Sequence, residues 1–230
     1  MSLILNIDTS SAIAHVSIAE KGIIIQSVSN TIQKELAAFL QPAIRNLLKN
    51  SSCNIIDIEA VAVIIGPGSY TGLRIGLACA KALCYALHKP LITLNILEVM
   101  AASAIHNMDK NQIGESHLYC PMLDARKNEV FTAVYDRELN CHLLPCALII
   151  NSQTLNEIIG TQPVLLFASG AFKWKDDWPF ENAFFDNVSN LPESMCFLSA
   201  RNYGKFVFSD LAYSEPLYLK EAFITKSQKP

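Results

Sequence analysis

No run of about 20 consecutive apolar residues, the length that crosses a bilayer, occurs in the chain. A membrane span is not expected. There is no dense basic block either: 18 Lys+Arg stand against 21 Asp+Glu, a formal net charge of −3. A protein that grips RNA unaided normally shows a basic face, so strong direct nucleic-acid binding is disfavoured. The cysteines Cys53, Cys79, Cys84, Cys120, Cys141, Cys146 and Cys196 include no Cys-x-x-Cys pair, and His15, His88, His106, His117 and His142 form neither His-x-x-x-His nor His-Glu-x-x-His. These thiols read as reduced and mostly buried, the setting as cytoplasmic, and no zinc or iron site is expected. A Gly-x-Ser-x-Gly elbow is also missing, so no serine is nominated as a nucleophile.

What the chain does have is Gly66-Pro67-Gly68-Ser69-Tyr70-Thr71-Gly72-Leu73-Arg74-Ile75-Gly76. An apolar run over 60–65 precedes it and reads as a buried strand; a helical pattern over 71–87 follows. Gly66 and Gly68 permit backbone angles that a Cβ forbids, and Ser69 or Thr71 can cap the helix. A strand, a glycine-rich turn and a helix N-terminus together make either an anion cradle or merely a tight connection. The P-loop pattern fails, because no Gly-Lys-Ser/Thr follows. Along the helix, Gly72, Gly76 and Ala80 leave one face nearly bare. Glycine inside a helix costs about 1 kcal/mol relative to alanine, which close packing must offset, either on this chain's own sheet or on another subunit.

Upstream, residues 3–7, 13–19 and 23–29 read as three strands of an antiparallel meander. The first delivers Asp8-Thr9-Ser10, which closes the hairpin as an Asx or Ser/Thr turn. Residues 33–50 form an amphipathic helix that Pro42 is expected to bend or divide. Segments 91–94 and 98–106 give a strand and a helix, and the polar stretch 107–116 marks a boundary between lobes 1–110 and 111–230. A hairpin over 117–136 opens the second lobe, turning at Ala125-Arg126-Lys127-Asn128, where Asp124 and Arg126 can pair or present charge. Residues 164–168 read as a strand, 198–212 as a helix and 217–219 as a closing strand. Trp174, Trp178 and Phe180 lie among lysines balanced by Asp176, Asp177 and Glu181, which argues against an RNA platform.

The eleven-residue motif at Gly66, the opening Leu3-Ile-Leu-Asn-Ile-Asp-Thr-Ser10 and the later Asp124-Ala-Arg-Lys-Asn-Glu-Val together resemble the TsaB (YeaZ) family, which works on the threonylcarbamoyl modification of adenosine 37 in tRNA. The resemblance implies an α/β, two-lobed actin-like ATPase (ribonuclease H-like) fold, with mixed sheets flanked by helices and a reduced second lobe. In that fold Asp8, Thr9 and Ser10, with Gly66, Gly68 and Ser69, stand where nucleotide phosphates are approached, and Ser169-Gly170-Ala171 where adenine or phosphate is faced. They are remnant phosphate-loop candidates here.

The resemblance further implies an interface through the N-terminal lobe helices, for which Leu36, Phe39, Leu40, Gly72, Gly76, Cys79, Ala80 and Leu83 are the candidates. The catalytic paralogue TsaD holds its metal through two histidines one helical turn apart; Leu36 and Leu40 stand there in this chain and cannot ligate a cation. The expectation is a non-catalytic scaffold without catalytic residue, metal or cofactor, neither metallopeptidase nor transferase itself. It pairs with TsaD, works with the ATPase TsaE, meets tRNA only through the complex, and forms a homodimer when alone. The alternative is an ATP-dependent small-metabolite kinase of the same fold, using Asp8 and the Gly66 turn.

Overall fold

The computed structural model describes residues 2–32, 35–107, 117–126, 129–149, 157–173, 175, 182–186 and 192–220. The first sheet holds β1 (Leu3–Asp8), β2 (Ala14–Glu20), β3 (Ile23–Asn30), β4 (Ala60–Gly66) and β5 (Leu91–Asn95) in the order β3-β2-β1-β4-β5. The second holds β6 (Leu118–Arg126), β7 (Glu129–Tyr135), β8 (Cys141–Ile149), β9 (Val164–Phe167) and β10 (Ala183–Asp186) in the order β10-β9-β6-β7-β8. Both repeat one plan. Three strands pair antiparallel, and the first of them pairs parallel with a fourth, which pairs parallel with a fifth. The expected meander over 3–29 and the hairpin over 117–136 are both present.

Helices cover both faces of the first sheet because β1 and β4 are apolar on both faces. Leu5, Ile7, Val61 and Val63 meet α1 (Leu36–Asn50) and α2 (Tyr70–Leu87), while Ile4, Ala60, Ala62 and Ile64 meet α3 (Ile96–Asn107) and α4 (Pro192–Gly204). The second of these cores continues to Tyr119, Leu165 and Phe167, so α3 and α4 lie between the two sheets. Glu98 on α3 and Arg201 on α4 form an ion pair of 2.6 Å. Fully burying one such aliphatic side chain contributes about 1.5–3 kcal/mol, so this shared core dominates the cohesion of the halves.

Three expectations change. Pro42 neither ends nor divides α1, which runs unbroken from Leu36 to Asn50; the proline is exposed and its missing N–H removes a single ladder bond. The helix expected over 198–212 lies at Pro192–Gly204 instead. Residues 217–219 make no strand: the segment after α4 crosses back over the first sheet, where Ser209 forms an isolated antiparallel bridge to Leu91 of β5. Residues 192–220 thus pack on the first sheet. Trp174, Trp178, Phe180, Asp176, Asp177, Glu181, the turn residues Lys127 and Asn128, and most of the 107–116 stretch lie outside the described residues. No helix among the described residues is long and apolar enough to cross a membrane.

Candidate functional site: the cleft between the sheets

A cavity of about 840 Å³ opens where the ends of β1, β4 and β6 converge. Asp8, Ser10, Gly68 and Ser69 line it on the side of the first sheet; Asp124 and Ser169 line it on the side of the second, with Ile96, Met100 and Met195 between them. The structure therefore gathers the remnant phosphate-loop candidates: Asp8, Ser10, Gly68 and Ser69 reach the cavity, whereas Thr9 and Gly66 lie behind them, buried.

The first wall is bonded to itself. Asp8 Oδ1 accepts from the Ser10 amide at 2.9 Å and the Ser10 hydroxyl at 2.6 Å, a closed Asx-type turn. The Ser69 amide donates to the Ser10 carbonyl at 2.7 Å, and the Gly72 amide donates to Ser69 Oγ at 3.2 Å as the N-cap of α2. Thr9 Oγ1 donates to the Gly72 carbonyl at 2.7 Å.

Each glycine of the motif faces an oxygen of this same chain. A Cβ at Gly68 would lie 2.2 Å from the Ser10 carbonyl oxygen, at Gly72 2.1 Å from that of Thr9, at Gly76 2.2 Å from Thr9 Oγ1, and at Gly66 2.6 Å from that of Leu217. Gly66 also has φ of +137°, which side chains avoid. The bare stripe of α2 thus serves the chain's own hairpin. The Ser10 amide and hydroxyl, the Ser69 amide and the Thr9 hydroxyl are thus already donating to carboxylate and carbonyl oxygens of the same chain.

That packing places most of the interface candidates inside the chain itself. Leu36, Leu40, Gly72, Gly76, Cys79 and Ala80 are buried in the chain's own core, because they face the first sheet or the β1–β2 hairpin; Phe39 and Leu83 are half-buried at its margin. The outward faces carry other residues: Ala37, Gln41 and Arg45 on α1, and Thr71, Ala78, Ala82 and Tyr85 on α2.

The second wall is looser. Lys173 pairs with Asp124 at 2.6 Å, and the Asp124 amide donates to Ser169 Oγ at 3.1 Å. Asp124 is thus paired with a lysine from another segment, while the side chain of Arg126 lies outside what is described. Gly170 packs against β6, its amide donating to the Met122 carbonyl at 2.7 Å, so in the Ser169-Gly170-Ala171 turn it is Ser169 that reaches the cavity.

Sequence reading passed over His15. Its register opposite Asp8 on β2 brings it into the cavity, and period-2 alternation was the signal that could have found it. Burial pushes its imidazole below the ordinary value, against the pull of Asp8 and Glu193, and so favours the neutral ring. Burial also raises the buried thiols, Cys84 and Cys196 to about 11 and Cys120 to about 12, which keeps them protonated and unreactive. Among the described residues no group of three or more His, Cys, Asp or Glu side chains is placed to hold a metal ion.

Comparison with known proteins agrees with this architecture. The family model described as "TsaD: tRNA N6-adenosine threonylcarbamoyltransferase" matches residues 22–142. The chain is similar to the "tRNA threonylcarbamoyladenosine biosynthesis protein TsaB" of Bacillus subtilis, 32% identical over 57% of this chain and 54% of that protein. It is likewise similar to the TsaB proteins of Buchnera aphidicola (Schizaphis graminum), 36% over 48% and 52%, and of Escherichia coli, 30% over 60% and 56%. The matched region spans about half the length of these curated relatives. Among solved structures, "YeaZ from Pseudomonas aeruginosa" shares the fold with a TM-score of 0.75 at 22% identity, covering 95% of this chain and 100% of that one. An inorganic polyphosphate/ATP-glucomannokinase from Arthrobacter shares it more distantly, at 0.52 and 10% identity over 90% and 100%. With more than half of its residues matched by the family model, and the two-sheet fold of YeaZ throughout, the chain belongs to the TsaD family.

Proposed function

We propose that the chain is a non-catalytic subunit in the biosynthesis of threonylcarbamoyladenosine at position 37 of tRNA, supporting the transferase TsaD together with the ATPase TsaE. The observation that carries this reading is the self-bonded first wall: the Ser10 amide and hydroxyl, the Ser69 amide and the Gly72 amide donate to Asp8, Ser10 and Ser69 of the same chain. A chain so arranged acts by holding a partner. The names of its TsaB relatives support the pathway.

The partner-facing surface in this proposal is the outward side of α1 and α2, where Ala37, Ala78 and Ala82 are small enough to let another helix approach closely and Gln41, Arg45 and Tyr85 supply polar contacts. The same face would serve a homodimer of the chain alone, and tRNA is met through the assembled complex in a cytoplasmic setting. Ala82→Arg is expected to abolish capture by co-expressed TsaD while the melting temperature stays within about 2 °C, since an exposed helix position tolerates arginine. Threonylcarbamoyl transfer reconstituted without this chain should fall sharply; undiminished transfer would overturn the proposal.

A second reading, an ATP-dependent small-metabolite kinase, draws on the cavity of about 840 Å³ with Asp8 and Asp124 on opposite walls. Titration of the isolated chain with Mg-ATP in a calorimeter separates the two: heat of binding below millimolar ligand supports the kinase, and none removes it.

A further inference from the structure

We infer that residues 205–220 form a strap that ties the two cleft walls together and sets how far the cleft opens. It does not rest on the proposed function. After leaving α4 the strap crosses the edge of the first sheet, where Ser209 Oγ lies 2.7 Å from Thr93 Oγ1. It then follows α2, and Lys81 Nζ donates to the carbonyls of Ala212 and Ser214 at 2.9 and 3.1 Å.

At the N-terminal end of α2 the strap is clasped. The Tyr218 ring stacks on Tyr70 with centroids 5.0 Å apart, Arg74 Nε donates to the Tyr218 hydroxyl at 2.8 Å, and the guanidinium sits 4.1 Å from the Tyr70 ring centre. Next to it the Leu217 amide donates to the Ile65 carbonyl at 2.7 Å, and the close approach of the Leu217 carbonyl oxygen to Gly66 leaves no room for a side chain there. Two residues later Lys220 pairs with Glu129, which opens β7 in the second sheet beside the hairpin that carries Asp124. Within residues 217–220, therefore, the strap holds the glycine-rich turn of one wall and the hairpin of the other.

The two attachments are unequal. Stacking, a cation over a ring and a backbone hydrogen bond secure the first, whereas among the described residues the second rests on one ion pair whose side chains are 49% and 24% exposed. An exposed pair is weak and screened by salt, so the strap releases at Glu129 first and the second wall is the one that swings.

Hydrogen exchange by mass spectrometry on the full chain tests this. Lys220→Glu and Glu129→Lys should each speed exchange of amides in residues 118–135 about two- to fivefold, the order of one exposed ion pair. The doubly swapped chain should return to the wild-type rate, and about 0.5 M salt should bring wild type to the level of the single variants. Tyr218→Ala should speed exchange in residues 66–72 as well; if it fails to fold, the charge-reversal set decides alone. Wild-type rates in either single reversal, or a double swap that does not restore protection, would overturn the inference.

Discussion

The two walls of the cleft are topological equivalents, each at the ends of parallel strands in a sheet of the same order, yet they are held differently. In the first, backbone meets backbone: glycines at 68 and 72 let carbonyls of the β1–β2 hairpin come so close that no Cβ fits. In the second, Gly170 packs closely on Met122 and Val130, but Asp124 itself is held by a surface ion pair and one serine hydroxyl. Steric closeness admits few arrangements, while a lysine and a carboxylate can be rearranged at little cost.

The sharpest way to break the comparison is to add atoms to the first wall. Gly72→Ala and Gly76→Ala should destabilise the chain by about 3 kcal/mol or more, or prevent folding, because the new methyl meets Thr9 at 2.1 and 2.2 Å. Urea unfolding reads the loss, and a shift below about 1 kcal/mol would show that the hairpin can give way. Thr9→Val keeps the shape but removes the second donor to the Gly72 carbonyl, which keeps its place in the helix ladder, for an expected cost of about 0.5–1.5 kcal/mol in the same assay.

A smaller effect comes from His15. Its folded value lies below the ordinary 6.5, so both states are neutral above that pH; as pH falls below it the unfolded chain takes up the proton first, and stability drops. Melting temperatures measured from pH 7 to 5 should fall less steeply in His15→Gln than in wild type. The second wall gives the smallest change: Lys173→Ala should cost no more than about 1 kcal/mol, the range for exposed pairs. A larger loss would make the walls alike after all.

This inequality also explains what was legible beforehand. The strand over 60–65, the turn at Gly66 and the helix over 71–87 are written locally, in apolar run, glycine spacing and cap, and the structure has them at Ala60–Gly66 and Tyr70–Leu87. Repetition of one sheet plan was implied by the family resemblance alone, since the two halves share no obvious sequence repeat and the strands at Cys141–Ile149 and Ala183–Asp186 were not read. The facing of Gly72, Gly76 and Ala80 was not legible, because a bare helix stripe looks the same whether a hairpin of the same chain or another subunit covers it. Nor was the pairing of Asp124 with Lys173, which joins segments far apart in the chain through flexible side chains. The path of residues 205–220 was misread as helix and strand, since its contacts are with α2 and β5 rather than with its own neighbours.

The bridge between Ser209 and Leu91 has one more consequence. By sitting against the outer rim of β5 it leaves β3 as the more open margin of the first sheet among the described residues, and Ile23 and Ile25 there stand out to solvent. A strand-by-strand polymer of this chain would start more readily from that margin, and a proline or lysine introduced there would be the simple way to keep concentrated solutions clear.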